Sequence, residues 1–300
     1  MSKIVLGHLN PDTDTTCSAI AYAAHLGFEP VVAGPLNKET AYVLERFGVA
    51  TPRLVEGLTE QDQLVLVDTN NPEELVNGYD QAELLEIVDH HKLVGGLHTT
   101  GPIKVTMRPV ACTATLLLDL MDEPAPQIAG LMLAAILSDT LNFSSPTTTE
   151  FDKTAAAHLA VLATVEPNEL ADAMFAAKSD LTGMSVKDIL TVDSKVFSLG
   201  GKKVRISLLE TTLPANALAL RSQLELTLRE LKQSEDLDGA FFFVVDIVKS
   251  EATLIVPSPF EQEVGERAFA AQFVDGIALL PGVVSRKKQI VPGIEAALIG

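Results

Sequence analysis

The 300-residue chain is 47% apolar and 21% charged, long enough for two ordinary domains and too apolar for a disordered protein. A formal net charge of -18, with no Trp and three Tyr, excludes extensive phosphate-backbone binding and base-stacking platforms, so nucleic acid is not an expected partner. Cys17 and Cys112 sit in apolar contexts, the first residues lack a signal-peptide pattern, and the longest apolar run, 128–137, is too short for a bilayer. These features predict a reduced, cytoplasmic protein with no membrane partner.

Short Val/Ile/Leu runs at 4–9, 30–33, 64–67 and 85–88 read as strands. Between them, 17–26 and 40–47 read as helices, closed by Gly27 and Gly48. This alternation predicts an α/β fold, a parallel sheet with helices on both faces. Helical patterns continue at 111–121, 127–137, 152–163 and 168–177, and SDLTGMS at 179–185 then breaks the apolar pattern. Beyond it, strands at 195–199 and 202–208 flank Gly200-Gly201, a two-residue hairpin signal. An amphipathic helix follows at about 218–232, then adjacent strands at 240–248 and 253–256 and a helix near 263–271. The predicted organisation is a metal-binding domain at 1–180, a linker at 181–187, and a smaller α+β substrate domain with a mixed sheet at 188–300.

Asp and His residues recur where four apolar runs end: GHLNPDTD, VLVDTN, LEIVDHHKL and ILSDT. In an open parallel sheet, ligands sit beyond the carboxyl ends of the strands, where Asp12, Asp14, Asp68, Asp89, His90 and His91 all fall. Each piece alone has an ordinary explanation as a helix cap, Asx turn or strand end. The joint pattern predicts a metal centre built from His8, Asp12, Asp14, Asp68, His90 and Asp139. A set of carboxylates and imidazoles without thiolate suits Mn, Co, Mg or Fe better than structural zinc. Four carboxylates with two neutral imidazoles balance two divalent cations, an arrangement built for in-line displacement at phosphorus.

These residues resemble the family II, manganese-dependent inorganic pyrophosphatases of the DHH phosphoesterase superfamily. The resemblance runs in order through GHLNPDTDTTCSAIAYA, VDTN, VDHHK, LSDT and SRKKQIVP, across essentially the whole chain. It implies that His8 and Asp12 bind one metal, that Asp14, His90 and Asp139 bind a second, and that Asp68 bridges them. It implies two Mn(2+) per subunit, with Co or Mg as substitutes, and additional Mg bound with substrate. His91 is implied to act near the leaving phosphate or as a proton donor, and Asp89 as the carboxylate that orients a histidine. Arg286 and Lys287 are similar to the family's electrophilic pair, and a further family lysine falls on Lys195, with Lys178 as its competitor. Thr15-Thr16 stands where family members often show Ser-Ile, and no room exists for an inserted nucleotide-sensing CBS module.

The implied reaction is hydrolysis of inorganic pyrophosphate to two phosphates by a metal-bridging hydroxide, with the substrate clamped by basic residues of the C-terminal domain. A homodimer through the first domain's sheet edge is also implied. The alternative is a short-chain exopolyphosphatase or another DHH phosphoesterase. The nucleotide-active branch usually carries a GGGH-like motif, whereas Gly200-Gly201 is followed here by two lysines.

Overall fold

The computed structural model describes residues 2–299, which divide into two units between Ala177 and Lys178. In the first unit, β1 (Ser2–Leu6), α1 (Thr13–Leu26), β2 (Glu29–Val32), α2 (Lys38–Arg46) and β3 (Arg53–Leu54) alternate as the apolar periods require. β4 (Asp62–Val67), β5 (Glu83–Asp89) and β6 (Lys104–Met107) follow, and then α3 (Thr113–Leu118), α4 (Pro126–Asp139), α5 (Glu150–Ala163) and α6 (Pro167–Lys178). The six strands run parallel in the order β3-β2-β1-β4-β5-β6.

That order sets which layer covers which face. From β1 the chain first winds outward through β2 and β3, then returns to β4 on the other side of β1. Right-handed crossovers therefore place the two sets of connections on opposite faces. Val5, Val65, Val67 and Val88 point to one face and pack on residues of the helices, including Ile20, Leu44, Leu116, Leu133 and Leu159. The helices predicted for the other face are replaced by a short 3-10 turn at Pro72–Glu74 and by connecting segments. Leu58, Leu75, Val76, Tyr79, Leu97 and Ile103 close it over Ile4, Leu6, Leu64, Leu66 and Ile87. The reversal of winding between β1 and β4 makes their carboxyl ends the switch point of the sheet, the usual crevice for a ligand.

The second unit contains α7 (Val186–Thr191), β7 (Asp193–Leu199), β8 (Lys202–Thr211), α8 (Pro214–Leu218), α9 (Arg221–Ser234), β9 (Gly239–Asp246), β10 (Glu251–Ile255), α10 (Pro259–Phe269), β11 (Ile277–Pro281) and α11 (Val291–Ile299). Its mixed sheet has the order β11-β10-β9-β8-β7, antiparallel except for the β8/β9 pair. The predicted hairpin is the β7/β8 connection. Gly200 and Gly201 have φ of 54° and 76°, the double positive φ that a tight two-residue turn demands. The helix expected at 218–232 is instead two helices. Leu220, at φ -94° and ψ 7°, interrupts them, and the Leu224, Leu228, Leu231 period belongs to α9 alone. Leu181, Met184 and Val186 pack against that helical layer with Ile189 and Leu190. Among the described residues, no helix is long and apolar enough to cross a membrane.

Candidate metal centre

The DTD loop is shaped by helix initiation. Asp12 is the N-cap of α1, its Oδ1 accepting the Thr15 amide at 2.9 Å, and Asp14 lies in the helix's first turn. Gly7 has no room for a Cβ, which would meet Thr15 Cγ2 at 2.4 Å and the Val67 carbonyl at 2.9 Å. The end of β1, the end of β4 and the first turn of α1 therefore close upon one another. Asp68 directly follows β4 with φ of 61°, a left-handed conformation that carries strain in a non-glycine residue. Two hydroxyls hold its carboxylate: Thr15 donates to Oδ2 at 2.5 Å and Thr113 to Oδ1 at 3.1 Å. Asp14 is held by the Thr113 and Ala114 amides at the start of α3, at 2.6 and 3.2 Å, and by the Ser18 hydroxyl at 2.7 Å.

The structure brings all six predicted ligand residues together. His8 Nε2 lies 3.8 Å from Asp12 Oδ2 and 3.5 Å from Asp68 Oδ2. His90 Nε2 lies 3.2 Å from Asp68 Oδ1, 3.8 Å from Asp14 Oδ2 and 4.0 Å from Asp139 Oδ2. Two groups made only of predicted ligands, His8-Asp12-Asp68 and Asp14-His90-Asp139, have donor atoms within 4.8 Å of one another, and a third joins His91 to Asp68 and His90; the Asp68 carboxylate reaches the imidazoles of both His8 and His90.

A test of whether these residues fit cations lies in His90. Its Nδ1 faces the Val110 carbonyl at 3.1 Å, and a carbonyl only accepts, so Nδ1 carries the proton. The buried Nε2, which makes no aligned hydrogen bond, then turns a lone pair or a second proton towards three carboxylates. In the neutral ring only a cation satisfies both the lone pair and the carboxylates. The donor set and the unpaired nitrogen fit a divalent ion.

The protonation pattern of the metal-free chain supports the same conclusion. Burial disfavours a charged His8, yet Asp12 and Asp68 outweigh it and push its pKa up to about 10. His90 is pushed up to about 9, Asp68 and Asp14 again overcoming burial. Burial and the neighbouring Asp68 push Asp14 up to about 6, and burial with Asp14 carries Asp139 well above the usual carboxylate range. Asp68 runs the other way: against burial, His8, His90 and the Thr15 hydroxyl hold it well below that range. Without metal, protons supply the positive charge this cluster requires.

His91 sits at the rim of the cluster, its Nδ1 3.8 Å from Asp68 Oδ1, and lines a cavity of about 980 Å³ with His8, Asp12, Asp68, His90, Asp139, Asn70, Lys92 and Thr147. Its Nδ1 donates to Asp89 Oδ1 at 2.9 Å, which raises its pKa, and more than half of the side chain is exposed. Asn70, buried, donates to Asp89 Oδ2 at 2.5 Å and to the Lys92 carbonyl, and accepts from the Val94 amide. It locks Asp89 beneath His91 and ties down the following loop.

In the second unit, Arg286 opens a turn of π-helix, Arg286–Ile290, and its Nη1 pairs with Asp193 Oδ1 at 2.6 Å. Lys195 stands two residues along β7 from Asp193 and therefore on the same face of the strand. Lys287 is exposed. Asn70, Thr113 and Thr15 are functional neighbours that sequence reasoning passed over. Thr15 is not a ligand, but its hydroxyl steers Asp68, and nothing in an apolar helical run signals such a contact.

The DHH family N-terminal domain matches residues 2–136, and the DHHA2 domain matches residues 172–297. A protein of Bacillus licheniformis assigned as a manganese-dependent inorganic pyrophosphatase is 40% identical, with both chains fully covered. The manganese-dependent inorganic pyrophosphatase of Bacillus subtilis (strain 168) is 38% identical over 99% of each chain. A Methanococcus jannaschii crystal structure assigned to the family II inorganic pyrophosphatases is 35% identical, covers 99% of this chain and 100% of its own, and superposes with a TM-score of 0.66.

Proposed function

This chain belongs to the family II, manganese-dependent inorganic pyrophosphatases, and we propose that it hydrolyses inorganic pyrophosphate to two phosphates at the Asp68-linked pair of triads. The observation that carries the proposal is the unpaired His90 Nε2 among three carboxylates, beside a second imidazole-carboxylate group on the same Asp68. His8, Asp12 and Asp68 would hold one cation, and Asp14, His90, Asp139 and Asp68 the other; Mn(2+) is proposed for both, with Mg accompanying the substrate. Bound divalent cations lower the pKa of a water from about 15.7 towards about 7 and polarise the phosphoryl oxygens.

The protein supplies the rest. Thr15 and Thr113 fix both Asp68 oxygens, so the shared carboxylate keeps one orientation while charge builds nearby. Asp89, braced by Asn70, holds the His91 Nδ1 proton and favours the doubly protonated ring, which can hand its Nε2 proton to the departing phosphate and become neutral. On an acidic chain, long-range attraction of pyrophosphate is unfavourable, so local cations must capture it. Arg286 offers a planar fork, and Lys287 and Lys195 offer point charges. The proximity of Lys195 and Asp193 on β7, with Arg286 on Asp193, supports Lys195 over Lys178 as the substrate lysine. In this reading the 181–187 segment links a metal-binding domain, 1–180, to a substrate-binding domain, 188–300.

We further propose a cytoplasmic homodimer joined at β6. That strand is an edge of the sheet, with Val105 52% exposed. Just beyond it, Phe151, 69% exposed, borders a groove of about 330 Å³ with Arg108, Pro109 and Val110.

The deciding experiment is phosphate release from Mg-pyrophosphate after chelation and re-addition of Mn, Co, Mg or Zn, beside tripolyphosphate and longer chains. Mn-restored turnover that prefers pyrophosphate is expected. Preference for longer chains would make the protein an exopolyphosphatase, and no release despite metal binding would refute the hydrolytic reading.

A further inference from the structure

Glu39 lies in the first turn of α2, fully buried, and belongs to neither ligand group. Its Oε2 accepts two hydroxyls, from Thr13 at 3.0 Å and from Ser138 at 2.9 Å. Both donors have telling positions. Thr13 stands between Asp12 and Asp14, and Ser138 immediately precedes Asp139. One side-chain oxygen thus joins the first turn of α1, which carries a residue of each group, to the last turn of α4, which carries the final one. Thr40, next to Glu39 in α2, adds a hydroxyl contact to Thr13 at 3.1 Å.

An acidic side chain in a fully buried position costs desolvation that Leu or Met would not incur. The neighbouring α2 residues Val43 and Leu44 already supply apolar packing against the core. What an acid adds here is a directional tie between two helices whose apolar contacts are non-directional. α1 and α4 pack along one another, and ligand spacing across them changes if either slides or rotates.

We propose that Glu39 is a positioning residue of the metal centre, setting the separation of Asp14 from Asp139 through the hydroxyls of Thr13 and Ser138. This rests on reading the two groups as cation sites. Residues that hold ligands without touching metal typically change affinity by ~10–100-fold when removed. The loss should fall mainly on the Asp14-His90-Asp139 site, whose carboxylates come from both bridged helices. Glu39→Gln keeps an oxygen that accepts both hydroxyls, so it should behave nearly as wild type.

The test is Mn(2+) titration of metal-stripped full-length protein, following free Mn(2+) by electron paramagnetic resonance, with the metal-free melting temperature measured in parallel. Glu39→Ala is expected to weaken one class of sites at least ~10-fold and to leave the other near wild type. The double variant Thr13→Val, Ser138→Ala should do the same. Adding it to Glu39→Ala should bring no further loss, since all three changes break one bridge. Glu39→Gln should stay within about threefold of wild type. If Glu39→Ala fails to fold, the double hydroxyl variant decides. Affinity within about twofold of wild type in that variant overturns the proposal. So does equal loss in Glu39→Gln and Glu39→Ala, which would assign the effect to charge and not to the bridge. Wild-type protein that binds no Mn(2+) would instead refute the metal centre itself, and this inference with it.

Discussion

Metal loading should be strongly pH-dependent, with a steepness that differs between the two sites. In the metal-free chain His8 has a pKa of about 10 and His90 of about 9, so both rings carry an extra proton at pH 7. A metal ligand must be neutral imidazole, and each cation therefore displaces the proton from its own ring. For the His8 site that is one proton, and affinity rises ~10-fold per pH unit until the pH nears about 10. The other site adds Asp139, whose carboxyl is pushed by burial and Asp14 well above the usual carboxylate range, so its loading should depend on pH at least as steeply. Below about pH 6 Asp14 gains a proton as well, and this site steepens further. The same shifts set the stability of the metal-free protein. Raised histidine pKa values contribute stability that is complete below 6.5 and lost as pH rises through about 9 to 10. Alkaline pH should therefore lower the metal-free melting temperature while strengthening metal binding. Calorimetric titration with Mn(2+) at pH 7, in buffers of different ionisation enthalpy, counts the protons released. A buffer-independent heat, or affinity rising less than ~3-fold between pH 7 and 8, would refute this account of the site.

Other perturbations separate the roles of individual side chains. Asp68→Asn should reduce Mn(2+) loading at both sites and hold pyrophosphate turnover below about 1% of wild type, measured as phosphate release. Arg286→Ala should leave Mn(2+) affinity unchanged while kcat/KM falls by roughly 10²–10³; turnover near wild type in Arg286→Ala combined with Lys287→Ala would remove the basic clamp from the mechanism. Gly7→Ala forces a Cβ against Thr15 and the Val67 carbonyl, and should cost ~1–3 kcal/mol by denaturant unfolding and weaken Mn(2+) binding. Val105→Lys places a charge on the exposed edge of β6 and should shift sedimentation from dimer to monomer if the sheet edges join there.

The strand ends were legible because three constraints coincide on them: an apolar run, a turn, and a ligand residue type. His8, Asp68 and His90 each follow or close such a run, and the sheet order then makes them neighbours. The edge strands β3, β6 and β11 gave no such signal. Their residues are largely half-exposed, and the apolar alternation that marks a buried strand is thin. The break at Leu220 was masked by leucines on both sides of it. Around the site, Glu39, Asn70 and Thr113 act through contacts with residues 19 to 99 positions away, and isolated polar residues at helix starts ordinarily read as caps. Spacing within the chain carries the metal ligands, whereas the partners that hold those ligands emerge only once the sheet has closed.

The grip of α3 on Asp14 has a consequence for how the protein is made. A carboxylate near the N-terminus is satisfied by amides 99 and 100 residues later, and its proposed co-ligand Asp139 lies later still. No segment emerging from a ribosome can therefore assemble the second cation site until α4 is complete. Closing such long loops costs entropy before any contact rewards it. A bound cation that joins these segments acts as a late fastener, holding together stretches of chain that local structure alone would let drift. Metal supply should then govern the yield of folded enzyme as well as its turnover, with scarcity leaving nascent first units open to proteolysis.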